Sequence, residues 1–106
     1  MTKFTVKQKV NRYVITCKNH AISDVCRGVS ALIYALVNKL KFDGEEGKTK
    51  ELDIKLESGN VQIKVEYKKD NLFEGKAVLE TILLGMKAIS EGYPEELEVS
   101  FEARWK

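Results

Sequence analysis

Histidine occurs once in this chain, cysteine twice and proline once. Any chemistry that needs an imidazole must therefore use His20, because there is no second one to replace it. His20, Cys26 and Asp24 together fall short of the four ligands that a structural zinc site takes. No apolar run approaches the roughly 20 residues of a membrane span, and the opening "MTKFTVKQKV" lacks the apolar core of a signal peptide. Two cysteines without a secretory signal point to a reducing cytoplasm, with no disulfide expected. Glutamine is confined to Gln8 and Gln62 while Lys and Glu abound, a composition that leans toward a heat-adapted source.

What is present describes an ordinary folded chain. An apolar content of 43% and a charged content of 32% exclude both disorder and a membrane-embedded protein. The 106 residues suffice for one domain, 1–106, whose core needs no disulfide staples. The net charge of +2 is unevenly spread: residues 1–50 carry ten basic and four acidic side chains, residues 51–106 eight and twelve. Every charged side chain before Asp24 is basic.

Period two marks the first strands. Phe4, Val6 and Val10 alternate with Lys3, Thr5, Lys7 and Lys9, and after a turn near Asn11 the run "RYVITCK" turns Tyr13, Ile15 and Cys17 inward. From Asp24 the period becomes helical. Val25, Val29, Leu32, Ile33, Leu36, Val37 and Leu40 form one stripe, with Ser23 or Asp24 as N-cap and an end before "DGEEG". "ELDIKLE" and "VQIKVEYK" alternate around Ser58, Gly59 and Asn60, a second hairpin. Asn71 and Glu74 have the spacing of a capping box for a second helix with Val78, Leu79, Ile82, Leu83, Met86 and Ile89 inward. That helix is expected to stop at a left-handed Gly92 before Pro94. A last strand turns Leu97, Val99, Phe101, Ala103 and Trp105 to one side. The order ββαββαβ predicts an α+β two-layer sandwich: a mixed or antiparallel five-stranded sheet with both helices on one face. Its other face is polar and meets water or a mate.

The stretch "NHAISDVCRGVSAL", residues 19–32, concentrates the reactive inventory at the mouth of the first helix. A thiol near its ordinary pKa of about 8.5 is only about 3% thiolate at pH 7. Cys26 falls in the first helical turn, where free N–H groups and the helix dipole favour an anion. An imidazole within reach would take its proton, and the short span from His20 permits that. Cys26 sits about 50° from the centre of the apolar stripe at 100° per residue. A partly exposed nucleophile and a packed core-edge cysteine both fit that position. Ser30, one turn later, is on the same side.

The motif "HA…DVCRGVSA" resembles the ribosomal-processing cysteine protease family, Prp, and the likeness extends over essentially the full chain. It implies a ββαββαβ fold, a small cytoplasmic homodimer, and cleavage of a short N-terminal extension from a large-subunit ribosomal protein. By the same resemblance Cys26 is the nucleophile and His20 the general base, with Asp24 and Ser30 in support, Gly28 and Ala31 at small packing positions, and no cofactor or metal. The chain departs from the family pattern in three ways. Asn19 replaces a glycine before the histidine, "AISDV" is about half the usual linker, and Asp24 precedes the cysteine by two residues rather than three. An alternative is a catalytically weak or inactive Prp-like paralogue that binds ribosomal protein or RNA. It draws on the basic face of Lys3, Lys7, Lys9, Arg12 and Lys18. RNA contact is the less favoured, because no aromatic residues interleave there to stack bases. That face is expected instead to be solvated or to meet Glu96, Glu98 and Glu102 of the last strand.

Overall fold

The elements run β1 (Thr2–Lys9), β2 (Arg12–Lys18), α1 (Asp24–Glu45), β3 (Thr49–Glu57), β4 (Asn60–Tyr67), α2 (Leu72–Gly92) and β5 (Leu97–Arg104). They are seen in a computed structural model that describes residues 1–19, 24–57 and 59–104. The strands form one five-stranded sheet in the order β3-β4-β2-β1-β5. All neighbours are antiparallel except β1 and β5, which run parallel, so the sheet is mixed. This is the α+β architecture expected from the ββαββαβ pattern.

The period-two positions meet the helical stripes in one core. Phe4, Val6, Tyr13, Ile15 and Cys17 of the first hairpin pack with Ile63, Val65 and Tyr67 of β4 and Leu97 of β5. Val25, Val29, Ile33, Leu36 and Leu40 of α1 and Leu79, Ile82, Leu83 and Met86 of α2 cover that face. The two helices approach closely at Gly28, where an added Cβ would meet the Ile89 side chain at 3.1 Å. Gly85 plays the same part for Leu32, at 3.0 Å. Each smaller side chain lets the partner helix sit nearer, which is why those positions lack bulk.

Several details differ from the sequence expectation, each for a local reason. Helix α1 continues through Asp43 and Gly44 to Glu45 instead of stopping before them. Asp43 is fully buried, accepts a hydrogen bond from the Tyr67 hydroxyl at 2.6 Å, and lies 2.9 Å from Lys39 Nζ one turn back. Those partners hold the last turn in helical form, and the chain turns at Gly47, whose φ is +74°. The Asn71 side chain caps no backbone N–H. Its Nδ2 donates to Glu74 Oε1 at 3.2 Å, and Glu74 in turn pairs with Lys48 at 2.9 Å. Gly92 stays inside α2, and Tyr93 caps it with φ −140°. Val10 is not part of the inward row. It occupies the hairpin turn at φ +58° and is half exposed. The turn is fixed by its neighbour, since the Asn11 side chain donates to the Tyr67 carbonyl and the Tyr67 N–H donates to the Asn11 carbonyl. On β5, Leu97 is buried but Phe101 and Ala103 are exposed. Ser23, Ser58 and Trp105 lie outside the described residues.

Candidate active site

Four chain segments converge at one end of the sheet. β1 begins there at Thr2, β2 ends there at Lys18 and Asn19, α1 starts there, and β5 enters beside β1 with Leu97 opposite Thr2. Cys26 is the third residue of α1, in its first turn as expected. Its residue is 5% exposed, so the edge of the apolar stripe faces the end of the sheet rather than solvent. Ser30, one turn further, is half-buried. Asp24 is the first residue of α1. His20 lies outside the described residues.

A residue that the motif reading missed stands next to the sulfur. Thr2 is 3% exposed, and its Oγ1 lies 3.8 Å from Cys26 Sγ. The same hydroxyl donates to the Asn19 carbonyl at 3.1 Å, while the Thr2 N–H donates to the Glu96 carbonyl at 3.0 Å. Thr2 continues the inward row of Phe4 and Val6 by two residues, and that period was the one signal able to find it.

Asn19 has φ +59°, the left-handed region. This is the conformation that a glycine supplies most freely, and asparagine is among the few other residues that adopt it readily. Asparagine before the histidine therefore holds this left-handed backbone without a glycine.

The two cysteines differ in setting. Cys17 on β2 is 1% exposed within the core, and both thiols are free. Burial, with a smaller push from Cys26, raises the Cys17 thiol to about 11. It stays protonated at neutral pH and serves as a small apolar side chain. Cys26 instead meets a hydroxyl at a helix N-terminus, where the backbone favours negative charge.

An apolar groove of about 570 Å³ lies elsewhere, between α2 and the distal halves of β1 and β5. Val10, Tyr13, Phe73, Leu84 and Phe101 are among its lining, which includes neither cysteine. Its nearest β1 residue, Gln8, is six residues from Thr2, roughly 20 Å along the strand. The groove is separate from the Cys26 end. Among the described residues no group of His, Cys, Asp and Glu is arranged to hold a metal ion. No helix among them is long and apolar enough to cross a membrane.

A two-layer α+β sandwich with a cysteine in the first turn of its leading helix is a setting suited to thiol chemistry. The cysteine protease Prp family model matches residues 1–98, and the chain belongs to that family. Among solved structures it is similar to the ribosomal processing protease Prp from S. aureus in complex with a covalently linked product peptide. That match has a TM-score of 0.71 and 22% identity, and covers 96% of this chain and 100% of the other. The S. aureus protease in complex with a substrate peptide matches with a TM-score of 0.71 at 18% identity, again covering 96% and 100%. SMU.848 from Streptococcus mutans matches with a TM-score of 0.69 at 21% identity, covering 98% and 99%. At these identities the likeness is one of fold. A search of curated proteins gave no match.

Proposed function

We propose that this cysteine protease is a ribosomal processing endopeptidase that trims the N-terminal extension of a large-subunit ribosomal protein, with Cys26 as nucleophile and His20 as general base. The observation that carries the reading is the position of Cys26 in the first turn of α1, within the family match over residues 1–98. Further support comes from the solved relatives of the same fold, one with a substrate peptide and one with a covalently linked product peptide.

The chemistry is acyl transfer. His20 takes the Cys26 proton, and the thiolate attacks the scissile carbonyl carbon, placing negative charge on its oxygen. Backbone N–H groups near the start of α1 are the donors available to that oxyanion. The intermediate collapses as the imidazolium protonates the departing amine, leaving the N-terminal fragment as a thioester on sulfur. Water, deprotonated by His20, then attacks the thioester and releases the acid and the thiol. Asp24 at the start of α1 and Ser30 one turn beyond Cys26 take the supporting positions that the family resemblance implies, and no cofactor takes part. The protein acts as a single domain, as a cytoplasmic homodimer with one dyad per subunit, which light scattering at micromolar concentration checks.

Cleavage of a peptide spanning such an extension tests the assignment. Cys26→Ala and His20→Ala should each lose at least a thousandfold in kcat/KM while keeping the wild-type circular dichroism, a loss on the order seen when a member of a catalytic dyad or triad is removed. Normal cleavage by folded Cys26→Ala would exclude this sulfur as the nucleophile.

A further inference from the structure

We propose that Thr2 is a positioning residue for the nucleophile, its hydroxyl shared between the Cys26 sulfur and the Asn19 carbonyl. The inference rests on Cys26 being the nucleophile and adds a residue outside the His–Cys motif. Thr2 Oγ1 lies 3.1 Å from the Asn19 oxygen and 3.8 Å from Cys26 Sγ, on a residue that is 3% exposed. Its backbone is fixed by the N–H bond to Glu96 and by the pairing of β1 with β5. A hydroxyl has one proton and two acceptor lone pairs. While Cys26 is a neutral thiol, the Thr2 proton goes to the Asn19 carbonyl and the thiol S–H can donate to Oγ1. When His20 removes the thiol proton, the sulfur becomes an anion with no proton of its own to give. The Thr2 O–H then rotates toward it, because a hydrogen bond to a charged acceptor is stronger than one to a neutral carbonyl. No proton leaves Thr2, and one bond is exchanged for another.

Two consequences follow from that exchange. The thiolate gains a buried donor, which lowers the cost of ionising a sulfur that water barely reaches. The Asn19 carbonyl, directly before His20, loses its donor at the same moment, so ionisation of the sulfur is coupled to the peptide that carries the base. From β2 the titratable group facing Cys26 is Cys17, which titrates near 11 and remains neutral through the relevant range. Leu97, opposite Thr2 on β5, and Thr2 itself carry no charge.

The test is the pH dependence of iodoacetamide alkylation, read by mass spectrometry on the Cys26 peptide so that Cys17 is counted separately. Thr2→Val keeps the shape and removes the hydroxyl, whereas Thr2→Ser keeps the hydroxyl. In Thr2→Val the alkylation profile of Cys26 should move to higher pH, because the charged form has lost a hydrogen bond. Alkylation at neutral pH should fall about three- to tenfold, and Thr2→Ser should titrate like wild type. In peptide cleavage, kcat should fall by the same factor with KM unchanged. An unshifted Thr2→Val profile, or a Thr2→Ser profile that matches Thr2→Val, overturns the inference. Alkylation needs no turnover. A wild-type protein that cuts no peptide therefore refutes the proposed function, while the Thr2 variants still report whether the hydroxyl holds the sulfur.

Discussion

At the scale of single residues, the site depends on positions whose backbone and surroundings are unusual rather than on rare residue types. Asn19 is the clearest case. Its left-handed φ of +59° sits where Thr2 grips its carbonyl, directly before His20, the proposed base, in the chain. Asn19→Gly should leave thermal stability within about 0.5 kcal/mol of wild type, whereas Asn19→Ala should lose about 1 kcal/mol, because alanine gains nothing locally to offset left-handed backbone strain. Chemical denaturation of the two variants checks this. Cys17 gives a second prediction. Its folded pKa of about 11 lies above the ordinary thiol value of 9.0, so the unfolded chain loses the thiol proton first as pH rises. The stability from keeping this thiol neutral is complete below about pH 9 and is lost as pH rises through 11, costing on the order of 3 kcal/mol. Burial raises the Tyr13 and Tyr67 phenols as well, which adds to the loss in the same direction at still higher pH. Urea melts should weaken between pH 9 and 11 in wild type, and less steeply in Cys17→Ala.

At the scale of elements, periodicity carried most of the fold, and the exceptions trace to contacts between residues distant in sequence. All five strands and both helices were readable because one face of each must be apolar: Phe4, Ile15, Ile63 and Leu97 are buried where alternation placed them. The end of α1 was not readable. "DGEEG" looks like a loop until Tyr67, on β4, is seen donating to Asp43 at 2.6 Å. Tyr67 also lies against α2, where a Cβ on Gly75 would come within 2.5 Å of its ring. One phenol thus ties α1, β4 and α2 together. Tyr67→Phe removes the hydroxyl and leaves a buried carboxylate oxygen without its donor, a loss of about 1–3 kcal/mol that thermal unfolding will register. The site shows the same division. Cys26 in the first helical turn was legible from the stripe, whereas for Thr2 only its inward direction was, and not what it faces. Nothing local in "MTKF" reveals that β1 would begin between the end of β2 and the start of α1. Covering of the Cys26 sulfur was likewise hidden, since a helical wheel gives an angle and not what lies opposite it.

Across the whole molecule, charge and topology explain each other. The basic hairpin looks like an anion-binding face in the sequence, but the parallel pairing of β5 with β1 sets Lys3 opposite Glu98 and Lys7 opposite Glu102. Arg12 reaches Glu51 at 3.4 Å and Lys50 reaches Glu66 at 3.6 Å across the same surface. Exposed pairs of this kind contribute less than about 1 kcal/mol each, but together they break up a continuous positive field. That arrangement favours the reading in which the face meets the acidic last strand over an RNA platform. The sheet also separates two regions. Its one end holds Cys26, Thr2 and Asn19, and the apolar groove lies toward the other, beside Phe73 and Phe101.

If Cys26 is the nucleophile, it carries the acyl group during turnover. Acid quenching with a substrate peptide, followed by mass mapping, should find the N-terminal fragment attached to Cys26 and none on Cys17. A fragment carried by any other residue, with Cys26 left unmodified, would contradict that role.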